Sequence, residues 1–266
     1  MKKIIEFPTD WDEVRPAEWE YLLKLRQKLA TKKGISLLDV KRDWCRYVLE
    51  SRGAKINRYQ AYILVNQLAD TLDWMWKTDE SGTVTLTFDS TVNLLPVWKR
   101  LLGPASHGAD LTFGEFRTAV QMMNTYTTTH DIMYLQCLAG MLYRPVIRQK
   151  KEPFILERMN EYQQRVRKMP GELLWGIYAW FSSFCQFLFT GTFVIDGNEV
   201  CFSSLFEKKS ENVGPSLGMN SILFSVAESG IFGNVADVDN TQLMQVMLKL
   251  LDDKQKADNL LKQTKK

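Results

Sequence analysis

The sequence predicts a mainly α-helical protein, a multi-helix fold with one or two short β-hairpins or strands. Apolar residues recur three and four apart through most of the chain, and prolines, glycines and capping boxes punctuate them. Period-two alternation occurs in only one stretch, and one further pair of segments is joined by the chemistry of a tight β-turn.

The order of elements follows from this punctuation. Ile4 to Phe7 reads as a short extended lead-in, and Pro16 suits the first helical position, where its missing N–H would be unpaired anyway. Trp19, Leu22, Leu23 and Leu29 mark one face of that helix, and Gly34 ends it. Ser36-Leu-Leu-Asp39 is a capping box for a second helix, with Leu37, Val40, Trp44, Tyr47 and Val48 on one side and Gly53 as its stop. A third helix can start at Asn57, with Tyr62, Val65, Leu68, Ala69, Leu72 and Trp76 on one face. Thr83 to Phe88 then alternates with period two after the turn Glu80-Ser-Gly82, which predicts a strand. Asn93 to Pro104 reads as an irregular or short helical connection, and Gly103 to Asp110 as loop.

Thr112-Phe-Gly-Glu115 is a second capping box, opening a helix with Phe113, Phe116, Val120 and Met123 inward. Ile132, Leu135, Leu138, Ala139 and Leu142 form the next stripe, which must end near Tyr143 because Pro145 biases its predecessor out of the α region. Phe154 to Lys168 reads as a charged surface helix. Leu173 to Ile195 carries no charge, but Thr192–Ile195 and Glu199–Phe202 flank Asp196-Gly197-Asn198, so its end is expected to be a hairpin strand. The helical part, Leu173–Phe189, is then the central buried element of the C-terminal half. A loop at Ser210–Gly218, a helix near Asn220–Glu228, turns at Gly230 and Gly233, and a helix from about Thr241 complete the chain, with a fraying tail beyond Asp252. Two regions are expected: residues 1–104, three helices and a short strand, and residues 105–266, mainly helical around the apolar helix and its hairpin.

Composition narrows the function classes. A chain of 266 residues, 45% hydrophobic, can bury a real core. Its 34 basic and 31 acidic residues leave a formal charge of +3, too small a surplus to indicate a nucleic-acid partner. Cys45, Cys137, Cys185 and Cys201 lie far apart, three of them in apolar runs, which fits reduced thiols in the cytoplasm. The start MKKIIEFPTDWDE lacks a signal-peptide core.

No catalytic, cofactor-binding or metal-binding constellation stands out. His107 and His130 have no second ligand at metal spacing. Cys45, Cys137 and Cys185 sit on apolar faces that disfavour a thiolate. Neither Ser182-Ser183 nor Ser203-Ser204 lies in a nucleophile-elbow frame, and Gly214-Pro-Ser-Leu-Gly218 lacks the Lys-Ser/Thr of a phosphate loop. Glu115, Asp131 and Arg144 near one helical pair are the only polar residues that would motivate an enzyme with a nonstandard site. Arg144-Pro-Val-Ile-Arg148-Gln-Lys150-Lys151, with Arg165, Arg167 and Lys168, is the densest basic cluster. The interspersed Glu152, Glu157 and Glu161 favour a solvated surface over a phosphate or acidic-partner site. Trp74, Trp76, Trp98, Trp175 and Trp180 fit core filling better than interface anchors.

Leu111-Thr-Phe-Gly-Glu-Phe116 followed by Tyr134-Leu-Gln-Cys-Leu-Ala-Gly-Met-Leu-Tyr-Arg-Pro145 resembles a pattern of uncharacterised proteins from the structural and assembly gene clusters of tailed phages and prophages. Phe7-Pro-Thr-Asp-Trp-Asp-Glu13 and Ala227-Glu-Ser-Gly-Ile-Phe-Gly233 are similar to other stretches of that group. The resemblance implies a virion component or a chaperone-like tail-assembly factor, in the host cytoplasm or the virion, and supplies no catalytic residues.

The reading is therefore a non-enzymatic protein that binds another protein, possible partners including a phage structural protein. Its expected contact region is the Thr112–Pro145 helical pair, through Phe113, Phe116, Tyr134, Tyr143, Arg144 and Arg148. The alternative is a membrane-associated protein anchored by Leu173–Phe189. Ser182, Ser183, Gln186 and Thr190 inside that stretch, which would need partners in lipid, argue against it. No cofactor, small-molecule substrate, nucleic acid or membrane is expected as a partner.

Overall fold

The computed structural model describes residues 6–54, 58–195, 197–206 and 219–264, which are mainly helical, 62% helix, with small antiparallel sheets of two and four strands. The expected loop Ser210–Gly218 lies outside the described residues, as do Ile4, Ile5, Asn57 and Asp196. Both capping boxes form. Ser36 and Asp39 exchange side chain to backbone hydrogen bonds at the start of α2 (Leu37–Ser51), which follows α1 (Pro16–Thr31) and precedes α3 (Arg58–Asp70). Thr112 and Glu115 do the same at the start of α4 (Phe113–Thr129), where His130 ends the helix at φ 55 before α5 (Ile132–Leu142). The remaining helices are α6 (Met159–Val166), α7 (Gly171–Thr190), α8 (Met219–Glu228), α9 (Val235–Asn240) and α10 (Leu243–Thr264).

The chain divides into two compact units, Met1–Pro96 with Lys168–Ser183, and Val97–Arg167 with Phe184–Lys266. In the first, α1 and α2 bury Trp19, Leu22, Leu23, Val40, Trp44 and Val48, and Trp11 packs edge-on against Trp19 and Trp74 with centroids 5.1 and 4.9 Å apart. The third helix stops at Asp70, earlier than its apolar spacing suggests. Leu72 falls in a 3-10 turn, Tyr62 is 68% exposed, and Trp76 opens β1 (Trp76–Thr78), paired with β2 (Val84–Leu86). The physical reason is the turn between the strands: Asp79 Oδ1 accepts from the Ser81 and Thr83 N–H groups and Gly82 takes φ 81, so an aromatic and β-branched segment pairs instead of continuing as helix.

The apolar helix α7 is one helix by backbone, yet its residues through Ser183 belong to the first unit and those from Phe184 to the second. Gly176 lies against Leu23 and Leu95, and Trp180 donates to the Thr91 carbonyl at 3.0 Å. Placing α7 wholly in the C-terminal half is therefore corrected. Its helical spacing is local information, whereas the identity of the residues that cover it is not. Trp180 and Phe184 are buried, Trp175 and Tyr178 half-buried, and Phe187 is 37% exposed. By length and composition this is the one helix among the described residues able to cross a membrane; 61% of its most apolar window is buried in the protein.

The second unit holds a four-stranded antiparallel sheet, β3 (Val97–Trp98), β4 (Leu101–Leu102), β5 (Arg144–Ile147) and β6 (Lys150–Lys151), in that order. It forms where the sequence predicts an irregular connection and a helix stop, because its central pairing joins Leu101 to Pro145 and Leu102 to Arg144, across the α4–α5 excursion. The expected hairpin is present as β7 (Thr192–Ile195) and β8 (Asn198–Cys201). Two further corrections concern the end of the chain. Asn234 caps the unanticipated six-residue α9, too short to show a period, and α10 continues past Asp252 to Thr264, carrying Lys249–Asp253 and Lys256–Asp252 ion pairs one turn apart.

Candidate functional site

The Thr112–Pro145 segment is organised by a buried ion pair. Glu115 stands in the first turn of α4, where its Oε2 accepts the Thr112 N–H at 2.7 Å and its negative charge suits the helix N-terminus. Its Oε1 accepts from Arg144 Nη2, and the two side chains are 1% and 3% exposed. Arg144 follows the last turn of α5; its Nη1 donates to the Met141 carbonyl and its Nε to the Glu152 carbonyl at 2.6 Å. One guanidinium thus joins the start of α4, the end of α5 and the residue that follows β6. Antiparallel helices place the first helix's N-terminus beside the second's C-terminus, so an acid in one and a base just beyond the other meet.

The first unit repeats this device. Glu18 in the first turn of α1 accepts the Arg15 N–H at 2.9 Å and a bidentate pair of bonds, both 2.7 Å, from Arg52, which caps α2. Arg52 also donates to the Glu6 and Glu13 carbonyls. Burial pushes the Glu18 carboxyl up, but the hydrogen bonds and charge of Arg52 with the Arg15 N–H outweigh it, and its pKa lies below the ordinary glutamate value. An aromatic residue, Trp19 or Phe116, follows the glutamate and is buried in both cases.

Small residues complete the fit in the second unit. The Tyr143 ring lies where a Cβ on Gly103 would stand, 2.7 Å from Cε1, and Gly140 lets the Tyr162 carbonyl of α6 close onto α5. Phe113 and Phe116, both buried, share this interior. Of the six expected contact residues, Phe113, Phe116, Tyr143 and Arg144 are thus sealed inside the unit and cannot reach a partner in this conformation. Their apolar or charged character, read as an interaction surface, reflects packing and an internal ion pair. Tyr134 is half-buried and Arg148 is exposed.

Arg148 leads to a surface that the linear sequence does not display. The basic cluster around it is dismantled by its surroundings: Arg144 is buried, Lys151 pairs with Asp110 at 2.6 Å, and Arg165 and Arg158 converge on Glu152. Arg148 and Lys150 remain exposed at the β5–β6 turn. The β3–β4 turn contributes Lys99 and Arg100, also exposed. Because β4 and β5 are antiparallel with Leu101 opposite Pro145, both turns leave the same end of the sheet. Four cations from residues 99–100 and 148–150 therefore share one rim, and none forms an ion pair among the described residues. Val97, Val146 and Ile147, 50–52% exposed, sit behind them on the strands.

Asp131 Oδ1 caps α5 by accepting the Met133 N–H at 2.8 Å. Burial pushes the Cys45 thiol up to about 12 and raises Cys185 and Cys137, whereas the exposed Cys201 is lowered by the hydrogen bond it shares with Ser203. A cavity of about 560 Å³ opens between α2 and α3, lined by Arg42, Arg46, Ala61, Tyr62, Val65 and Asn66, with Arg42 Nε bonded to Asn66 Oδ1 at 2.7 Å. Comparison of the chain with protein-family models, curated protein sequences and solved structures finds no match.

Proposed function

We propose that this chain is a non-enzymatic protein-binding component, of the structural or assembly class that its Thr112–Pro145 pattern resembles in tailed phages and prophages. The observation that carries the reading is the division of labour within that pattern. Glu115, Asp131 and Arg144, the polar groups that would motivate an enzyme, hold helix ends together, while the solvent-facing residues of the adjoining sheet are cations backed by β-branched aliphatics. Such a surface suits recognition, in which apolar side chains supply contact area and charges supply orientation and rate. The resemblance supports the biological setting, host cytoplasm or virion. The 61% burial of the apolar window of α7 supports a core helix over an anchor.

Purification of the tagged full chain from cells expressing its neighbouring genes tests the reading. A stoichiometric complex with one neighbour's product is the expected result. A chain recovered alone and monomeric, or one that requires detergent for extraction, overturns it.

A further inference from the structure

We propose that the β3–β4 and β5–β6 turns together form a docking site for a carboxylate-rich face of a partner protein. The inference rests on the protein-binding reading above and names the chemistry of the partner. Neighbouring strands lie about 4.8 Å apart, so the two turns stand roughly 10 Å from one another, a spacing that a single helix or strand face can bridge. Lys99, Arg100, Arg148 and Lys150 occupy this rim with no carboxylate in ion-pair reach among the described residues, although the whole chain carries only +3. The concentration of charge is local.

The backbone supplies an independent observation. Lys99 has φ 55, and Arg148 and Gln149 have φ 50 and 65. A positive φ at the first turn position alone is where a hairpin favours Gly, and two in succession favour Asn-Gly. A long side chain in the left-handed region is strained, because its Cβ crowds the carbonyl oxygen that follows. Lys, Arg and Gln at these three places work against stability, and side chains held in such backbone conformations cluster at functional surfaces.

The neighbouring side chains select the partner class. One face of Trp98 is covered by the Lys99 ammonium 4.4 Å from its centroid and the residue is half-buried, so it is not an open platform for a stacked nucleobase. The turn residues themselves are all polar and the exposed aliphatics Val97, Val146 and Ile147 lie behind them, so charge and not an apolar face forms the leading edge, unlike a surface that enters a bilayer. An acidic protein surface meets both features: carboxylates face the rim, and adjoining apolar side chains reach the strands.

The test titrates the full chain with a labelled peptide of alternating glutamate and leucine. A single-stranded oligonucleotide and mixed phosphatidylserine–phosphatidylcholine vesicles are run in parallel. The peptide is expected to bind with a steep salt dependence, and removing the four charges (K99S, R100S, R148S, K150S) should weaken it at least about tenfold. A second variant, R148N with Q149G, separates contact from folding: it should raise the melting temperature and yet weaken peptide binding. Unchanged peptide affinity in the four-charge variant, or tighter binding of oligonucleotide or vesicles than of peptide, overturns the proposal. Should a neighbour's product co-purify equally with wild type and the four-charge variant, the protein-binding reading stands and this site assignment fails; should none co-purify with wild type, the broader reading fails, whatever the peptide does.

Discussion

Arg144→Met removes the cation from the most buried ion pair of the second unit while keeping an unbranched apolar stem. Glu115, 1% exposed, would keep its bond from the Thr112 N–H but lose its counter-charge, and the Met141 and Glu152 carbonyls would lose a donor. Stranding one partner of a buried pair costs about 3–5 kcal/mol. For a chain of this size that lowers the melting temperature by roughly 6–20 °C. Neutralising the acid as well, in Glu115→Gln with Arg144→Met, should restore part of the loss, since the uncompensated charge is gone. The two orphaned carbonyls keep the double variant below wild type, each costing about 1–3 kcal/mol if left unpaired. The cycle should therefore show a coupling of about 2 kcal/mol or more. Denaturant unfolding followed by circular dichroism, with thermal melts alongside, measures all four proteins. A loss under about 1 kcal/mol for Arg144→Met, or strict additivity in the cycle, would refute the assignment of this pair as the lock between α4, α5 and the sheet.

Three further outcomes can be checked. Gly140→Ala should destabilise the second unit by at least about 2 kcal/mol, because the added methyl would collide with the Tyr162 carbonyl, whereas Gly171→Ala, whose Cβ would meet open space, should fall within about 0.5 kcal/mol or stabilise. In thiol titration of the native protein, Cys201 should react first, with Cys45 and Cys185 released only on unfolding; comparable rates for all would contradict their burial. Glu18, held below its ordinary pKa by Arg52, contributes stability that is fully present above the unfolded value near 4.5 and is lost as pH falls through the folded value. Stability should accordingly decline below about pH 4.5, and Glu18→Gln should flatten that decline; an identical acid profile for the variant would remove Glu18 from the account.

Local rules made much of the fold readable from residues alone. Ser36 and Thr112 announce helix starts because a capping box needs only residues three apart, and Gly197 announces a hairpin because positive φ is a local demand. The ends of the same elements show where that reading stops. Trp76 carries helical spacing but pairs with Leu86, since the turn Asp79–Thr83 redirects a segment with β propensity. The expected contact residues show a related limit: Phe116 and Tyr143 are apolar aromatic residues whether they face a partner or a core, and only packing distinguishes the two.

What the sequence by itself determined is the mainly helical class, the caps and stops of most helices, the β7–β8 hairpin and the interruption of the apolar run before it. These depend on interactions spanning a few residues. Tertiary structure alone decided that Glu115 meets Arg144 and Glu18 meets Arg52, that the residues of α7 are shared between two units, and that Lys99 and Arg100 stand beside Arg148 and Lys150. Each of these joins residues tens of positions apart, and a strand register such as Leu101 opposite Pro145 leaves no periodic trace in the chain that carries it.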